Sequence, residues 1–174
     1  MDAKLRISGI INDSIVDGPG LRLVVFTQGC PHGCAGCHNP NTHDFAGGKE
    51  MTCEEIVKQL DENPLQSGVT LSGGEPFCQA EALLPLARAA KERGKHLLAY
   101  SGYTFEELTA MRSPAVDELL RLCDLLIDGR FRQEEKKLSL RFRGSSNQRI
   151  IDLAETRQQG AVVLSEYHNK ARPL

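Results

Sequence analysis

The feature that most constrains the fold of this chain is a regular alternation of short apolar segments with helical segments. The apolar segments are predicted to form buried strands at Leu23–Thr27, Val69–Ser72, His96–Tyr100 and Leu125–Asp128. Helices are predicted from Thr52 to about Leu60, from Ala80 to about Arg93, from Thr104 onwards, and from Pro114 to about Cys123. Such alternation, with strands that are apolar throughout, is typical of a parallel sheet covered by helices.

Two of the helix starts carry a specific signal. Thr52 and Thr104 are each followed three residues later by a glutamate, Glu55 and Glu107. In this spacing the threonine hydroxyl and the glutamate carboxylate each accept a hydrogen bond from an otherwise free backbone N–H at the helix start. The pattern therefore predicts a capping box at both positions.

The length of the chain limits how far such a sheet can close. A closed eight-fold barrel needs roughly 250 residues, whereas this chain has 174. Beyond the clear strands, weaker strand candidates lie at Ile150 and Ala161–Leu164. We therefore expect one domain over residues 1–174 with an α/β fold, an open partial (β/α) barrel of about five to six units with a mostly parallel sheet. The open side of such a barrel would admit a protein substrate.

Charge and composition exclude several classes of partner. The chain has 21 Lys and Arg residues against 23 Asp and Glu residues, so nothing in its charge favours nucleic acid or an anionic membrane as a partner. No apolar run approaches membrane-spanning length, and the start Met1-Asp-Ala-Lys-Leu-Arg6 contains no apolar leader stretch. We therefore expect a cytoplasmic protein. In a reducing compartment, a total of six cysteines argues against disulfides and for metal binding or catalysis.

Unusual residues follow each of the predicted strands. They are the cysteine-rich loop after Thr27, Gly73-Gly74-Glu75, Tyr100-Ser101-Gly102, and Asp128. In parallel α/β sheets the ligand site lies at the carboxyl ends of the strands. The sequence therefore predicts one site at this edge of the sheet.

Three cysteines, Cys30, Cys34 and Cys37, lie in the first of these loops with the spacing C-x3-C-x2-C. A four-iron cluster bound by protein alone normally takes four cysteines, so three leave one iron open to a small molecule. The alternative is a closed zinc site of the Cys3His type. Its fourth ligand would be one of three nearby histidines: His32, His38 or His43. The neighbouring glycine loops favour the cluster, because a structural zinc site does not need them.

The remaining three cysteines share no ligand spacing. They are Cys53, Cys78 and Cys123. Because a free cysteine behaves as a small apolar residue, we expect them to be ordinary packed residues.

The segment Ser72-Gly-Gly-Glu-Pro76 stands between a strand and a helix. Two glycines let the backbone approach a ligand closely, and their carbonyls together with the Glu75 carboxylate suit an ammonium group. The alternative is a plain strand-to-helix turn in which the helix dipole favours Glu75.

Three further positions have both a binding and a structural interpretation. Asp17-Gly-Pro-Gly20 and Tyr100-Ser-Gly102 are either ligand loops or turns, the second with a hydroxyl suited to ribose or carboxylate. Asp128 ends an apolar strand, where an unpaired carboxylate is costly. It therefore needs a partner, either a ligand hydroxyl or an arginine such as Arg130. Residues 143–149, Arg-Gly-Ser-Ser-Asn-Gln-Arg, are polar and predict a loop.

Taken together, these residues resemble the radical S-adenosylmethionine (SAM) enzymes, specifically the branch that activates glycyl radical enzymes. The resemblance rests on segments that run in order through most of the chain. They are Val16–Gly20, Gly29–Asn39, Leu71–Pro76, Tyr100–Tyr103, Leu126–Phe131 and Arg143–Gln148. The last two segments are similar to activators of anaerobic ribonucleotide reductase rather than to other activases.

The resemblance implies a role for each site residue. Cys30, Cys34 and Cys37 would ligate a 4Fe-4S cluster, whose open iron would bind the amino and carboxylate groups of SAM. The other SAM contacts implied are Gly36 and His38 near the adenine, Gly73, Gly74 and Glu75 near the methionine ammonium, and Ser101 and Asp128 near the carboxylate and ribose. No side chain is implied as a catalytic acid or base.

The resemblance also implies the reaction and its partners. The reduced cluster would donate an electron that splits the S–C5′ bond of SAM into methionine and a 5′-deoxyadenosyl radical. That radical would take a Cα hydrogen from a glycine of the large subunit of anaerobic ribonucleotide reductase, leaving a glycyl radical. An electron donor such as flavodoxin or ferredoxin would reduce the cluster.

Two positions depart from the wider pattern, and three alternatives remain. Gly36 stands where many radical SAM enzymes carry an aromatic residue, and Ala99 stands where some relatives carry an aspartate that contributes to a cation site. The client could instead be a glycyl radical enzyme of the pyruvate formate-lyase type. From other classes, a zinc-binding adaptor or a simple iron–sulfur electron carrier would also use the cysteines. The carrier leaves the open coordination position beside the glycine loops unexplained.

Overall fold

A computed structural model describes residues 4–173. Residues 1–3, which belong to the start in which no apolar leader was expected, and residue 174 lie outside the described range. The fold is built on an open seven-stranded sheet with the strand order β3-β1-β2-β4-β5-β6-β7. The strands are β1 Lys4–Ser14, β2 Arg22–Thr27, β3 Lys49–Thr52, β4 Gly68–Gly73, β5 His96–Tyr100, β6 Leu125–Asp128 and β7 Arg149–Asp152. The central strands β2, β4, β5 and β6 are parallel, whereas β1, β3 and β7 pair antiparallel at the two sides.

Helices connect the strands and cover one face of the sheet. They are α1 Cys53–Glu62, α2 Ala80–Glu92, α3 Phe105–Ala110, α4 Pro114–Leu122 and α5 Leu153–Gln159. Capping boxes begin α1 at Thr52 and α3 at Thr104, as predicted, with the hydroxyl of each threonine accepting from the backbone N–H three residues on. Among the helices of residues 4–173, none combines the length and the apolar character needed to cross a lipid bilayer.

The main core lies between the sheet and the helices. Alternate strand residues such as Val69, Leu71 and Leu97 are fully buried against apolar residues of the helices. The residues between them point to the opposite face, where Leu98 and Ile127 form a smaller cluster with Phe142. The segments after β6 and β7 cover this second face, so a closed barrel is not needed to bury it.

The prediction of an open α/β sheet is confirmed, and the central strands lie within one or two residues of their predicted bounds. Two antiparallel strands, β1 and β3, were not predicted. The weaker candidate at Ile150 lies in β7, whereas residues 161–164 are irregular and contribute only an isolated bridge from Leu164 to Ile151. The expectation of a strand at 161–164 is therefore wrong, because this segment pairs with β7 at a single point.

Candidate active site

The carboxyl ends of the parallel strands surround a cavity of about 430 Å³. The segment that follows β6 forms a further wall, and Ile11 of β1 with Val16 and Asp17 of the loop after it also border the cavity. Seven of the residues predicted for the site line this cavity: Cys30, Cys34, Cys37, His38, Gly73, Gly74 and Ser101. The structure thus brings together three loops that are far apart in the sequence.

The cysteine loop leaves β2 and folds back across the strand end. The N–H of Gly29 donates to the carbonyl of Thr42 at 2.7 Å, and the N–H of Cys30 donates to the carbonyl of His43 at 3.1 Å. Gly33 and Gly36 adopt positive φ angles of 59° and 72°, a conformation that glycine enters at little cost. These contacts turn the loop tightly enough for all three cysteines to border one cavity.

The three cysteines are free thiols that are neither fully buried nor fully exposed. Burial raises the pKa of the Cys30 thiol, and a backbone hydrogen bond at His32 opposes this shift. Soft thiolates on one side of a small-molecule-sized cavity suit an iron–sulfur cluster that must also reach a second ligand. The donor set therefore fits a cluster.

The histidines near the cysteines have different surroundings. The Nε2 of His32, one of the candidate fourth ligands for zinc, lies 2.7 Å from the Oε1 of Glu75. His38 packs against the ring of Phe131 with 5.0 Å between ring centroids, and His43 borders the cavity. Across residues 4–173, no group of three or more His, Cys, Asp or Glu side chains is arranged to hold a single metal ion.

Gly73, the last residue of β4, and Gly74, which follows it, are required by packing against the protein backbone. A Cβ on Gly73 would lie 2.7 Å from the Cα of Phe26, and a Cβ on Gly74 would lie 2.3 Å from the carbonyl oxygen of Gly29. Both distances are too short for any side chain. These close approaches are to the end of β2 for Gly73 and to the cysteine loop for Gly74. The backbone of both glycines also borders the cavity.

Glu75 has a different environment from the one expected. Its side chain is fully buried and is absent from the described lining of the cavity. The carboxylate accepts hydrogen bonds from the Ser101 hydroxyl at 2.8 Å, the Gly102 N–H at 2.8 Å and the Phe77 N–H at 3.1 Å. The described partners of Glu75 are thus protein donors, including His32, and its contact with an ammonium group stays a prediction.

The carboxylate of Asp128 is also bound by groups of the protein. The residue is 1% exposed, and its carboxylate binds the guanidinium of Arg149 and the N–H of Phe105. The arginine partner is thus Arg149 rather than the suggested Arg130, which instead lies 3.5 Å from Glu107. Arg149 is reached because β7 pairs antiparallel with β6 and places the two residues opposite each other.

The cavity also has lining residues that sequence reasoning did not single out as binding residues. They are contributed mainly by the segment after β6 and include Phe131, Arg143, Gly144, Gln148 and Arg172. Gln148 shapes this wall, since its Oε1 accepts from the N–H groups of Gly144 and Ser145 at 2.9 and 3.1 Å. The side chain of Gln133 covers Gly36, which is not among the described lining residues. The available sequence signal was the polar, glycine-containing segment 143–149, which predicted a loop.

Comparison with known proteins identifies the family. The 4Fe-4S single cluster domain family matches residues 16–151. The chain is 40% identical over 128 residues to the pyruvate formate-lyase-activating enzyme of Clostridium pasteurianum, covering 70% of this chain and 50% of that enzyme. It is 36% identical over 156 residues to the pyruvate formate-lyase 1-activating enzyme of Escherichia coli K12, covering 86% of this chain and 61% of that enzyme.

A second group of relatives is similar over almost its whole length. The chain is 36% identical over 147 residues to the anaerobic ribonucleoside-triphosphate reductase-activating protein of Escherichia coli K12, covering 80% of this chain and 93% of that protein. Among solved structures, QueE from Escherichia coli superposes with a TM-score of 0.49 at 19% identity over 58% of this chain and 54% of that chain. The chain therefore belongs to the radical SAM family of activating proteins, together with the activators of anaerobic ribonucleoside-triphosphate reductase and of pyruvate formate-lyase.

Proposed function

We propose that this protein is an activase that reductively cleaves SAM and takes a Cα hydrogen from a glycine of anaerobic ribonucleoside-triphosphate reductase. The observation that carries the proposal is that three partly exposed cysteine thiols and the glycine turn after β4 border one cavity. The volume of about 430 Å³ lies within the usual range for small-molecule sites. A thiolate set and a binding pocket are thereby combined at one sheet edge.

Cys30, Cys34 and Cys37 are the proposed ligands of the 4Fe-4S cluster, and the position left open is the proposed attachment point of SAM. When bound, the cluster and SAM supply the electron transfer and the radical chemistry that no side chain of the protein can provide. The protein itself binds and orients the cluster and SAM, and it excludes water from the site.

The remaining SAM contacts are proposed mainly for backbone groups. Carbonyls of Gly73 and Gly74 are suited to the methionine ammonium, and Gly36 and His38 are the proposed neighbours of the adenine. Ser101 is the proposed contact for the carboxylate or ribose, because it borders the cavity. The carboxylates of Glu75 and Asp128 would hold the loops that contact SAM.

The reductase is the client that the comparisons support best. This chain spans 93% of the length of an activator of that reductase but only 50% and 61% of the two pyruvate formate-lyase activators. The second candidate, activation of a pyruvate formate-lyase type enzyme, is favoured by the 40% identity to one such activator. The six free cysteines support a reducing, cytoplasmic location, where an electron donor such as flavodoxin or ferredoxin would be available.

Anaerobic isolation followed by reconstitution with iron and sulfide tests the proposal. We expect a brown protein with about four iron atoms per chain, and formation of 5′-deoxyadenosine and methionine when SAM and a reductant are added. A colourless protein that binds one zinc ion and leaves SAM intact would instead support the zinc-binding adaptor. A brown protein that transfers electrons without cleaving SAM would support the simple electron carrier.

A further inference from the structure

The buried carboxylate of Glu75 joins three loops of the site. It follows β4, and it accepts from Ser101 and Gly102 after β5 and from His32 in the cysteine loop. A buried carboxylate is costly unless donors satisfy it. The contact with His32 is the one that reaches the segment between Cys30 and Cys34.

The imidazole of His32 is confined on several sides. Its side chain is 4% exposed, and its Nε2 lies 2.7 Å from the Oε1 of Glu75. The edge of the ring meets the ring of Tyr103, with 4.5 Å between centroids and planes at 76°. A hydrogen on Nε2 would be donated to the carboxylate of Glu75, which is a hydrogen-bond acceptor.

Gly102 provides the space for this histidine. A Cβ at Gly102 would lie 2.3 Å from the Cδ2 and 2.6 Å from the Nε2 of His32. The φ angle of Gly102 is not positive, so backbone conformation does not require glycine here. Glycine is therefore required at this position because any side chain would occupy the space of the imidazole ring.

The cysteine loop has few other side-chain anchors to the strand ends. Within residues 30–37 of the described chain, the hydrogen bond of His32 is the one in which a loop side chain contacts another loop of the site. The described ion-pair partner of Glu75 is His32, and no lysine or arginine is among its described partners. Removal of His32 would leave Glu75 with its donors from Ser101, Gly102 and Phe77. The main effect would therefore fall on the cysteine loop and not on the buried carboxylate.

We propose that His32 and Glu75 are positioning residues that hold the cysteine loop in its ligand-binding conformation before any cluster is present. The proposal rests on the proposed function, because the three thiols around one cavity are taken there as cluster ligands. The hydrogen bond between His32 and Glu75 itself is present without a cluster. Because the loop is already ordered, cluster binding would cost less conformational entropy, as for other preorganised sites.

Hydrogen exchange of the cluster-free, thiol-reduced protein tests the proposal. In His32→Ala, we expect amides of residues 30–37 to exchange about tenfold faster, while the urea midpoint of the whole protein stays close to that of the parent. His32→Gln keeps an N–H donor and should restore part of the protection. His43→Ala is the matched control, since His43 also borders the cavity but its side chain makes no hydrogen bond among the described contacts; exchange of residues 30–37 should be unchanged in it.

A second variant reaches the same contact from the opposite loop. Gly102→Ala would push the imidazole away from Glu75, and we expect the same local increase in exchange at residues 30–37. Unchanged protection of the loop in both His32→Ala and Gly102→Ala would overturn the proposal. So would an equal rise in exchange over the whole chain in both variants, because the pair would then support the fold in general.

Iron uptake separates this proposal from the proposed function. During reconstitution, His32→Ala should incorporate iron more slowly than the parent, and His32→Gln should lie between them. If the parent also fails to incorporate a cluster, the proposed function fails while the exchange result still decides the role of the pair. If the parent and His32→Ala incorporate iron at equal rates, the positioning role is contradicted.

Discussion

The carboxylate of Asp128 is bound at two points by the guanidinium of Arg149, with Nε 3.0 Å from Oδ1 and Nη2 2.5 Å from Oδ2. The same carboxylate accepts the N–H of Phe105, the first residue of α3, at 2.7 Å. Hydrogen bonds to Asp128 and to Glu106 raise the pKa of Arg149 above its ordinary value. One ion pair therefore connects the end of β6, the start of β7 and the first turn of α3.

Replacement of Arg149 by methionine should lower the free energy of unfolding by about 3 kcal/mol, because a buried carboxylate would lose its cation. Glu106→Gln is the control, since Glu106 also contacts Arg149 but is 59% exposed; we expect it to cost less than about 1 kcal/mol. Urea denaturation of the cluster-free protein measures both. Equal losses in the two variants would show that burial of Asp128 does not set the cost.

Cys34→Ser should abolish cluster binding and SAM cleavage while the fold is retained. A serine hydroxyl is a poor ligand for iron in such a cluster, and the two remaining thiolates would be too few. Cys78→Ser is the matched control, because Cys78 is exposed and has no proposed role as a ligand. Iron content and SAM cleavage measure the effect; retained cleavage in Cys34→Ser would contradict the ligand assignment.

Gly74→Val should disrupt the cysteine loop as well as the SAM pocket. A Cβ there would lie 2.3 Å from the carbonyl oxygen of Gly29 and 2.9 Å from that of Thr42, so the loop must move. We expect loss of both cluster colour and SAM binding. Gly9→Ala is the control, because a Cβ at Gly9 meets nothing within 4 Å. A Gly74→Val protein with normal colour would show that the loop tolerates the added side chain.

The cluster-free protein should lose stability as the pH falls from 7 to 5. Burial, and next the charge of Arg22, lower the pKa of His96 to about 4, whereas an unfolded histidine has a pKa of about 6.5. Between these two pKa values the unfolded chain binds more protons than the folded chain does. The free energy of unfolding therefore decreases as the pH is lowered. The pKa of His168 is also lowered by burial and contributes with the same sign.

For His96 alone we expect a loss of about 1 kcal/mol between pH 7 and pH 5, after allowance for its partial exposure to water. His96→Gln should remove that part of the slope, since glutamine does not titrate but can still accept from Arg22, whose Nη2 lies 3.1 Å from the Nδ1 of His96. Unfolding free energies at the two pH values measure this difference. An unchanged slope in His96→Gln would assign the acid sensitivity to other groups.

The central strands and the helix starts could be predicted because their signals are local. β5 and β6 are short apolar runs ended by polar or glycine residues, and both lie at their predicted bounds. β1 could not be predicted in this way, because it alternates only over Leu5 and Ile7 and is then irregular, with register shifts against β2. It is a strand because β2 and β3 pair with it, which depends on tertiary contacts.

The location of the site followed from topology, but the partners of its carboxylates did not. Parallel strands bring their carboxyl ends to one edge, so the loops with unusual residues could be predicted to meet. The partners of Glu75 lie as far away as His32 and Ser101, and the arginine of Asp128 lies on β7. Such pairings depend on how the loops pack, and no local sequence pattern contains that information.

The electron paramagnetic resonance spectrum of a mixture tests the central claim most directly. Reconstituted, reduced protein would be mixed anaerobically with SAM and the anaerobic ribonucleoside-triphosphate reductase, with a second sample lacking SAM. We expect a glycyl radical signal on the reductase that appears only with SAM. Cleavage of SAM without that signal would contradict the assigned client, and absence of both signal and cleavage would contradict the radical chemistry itself.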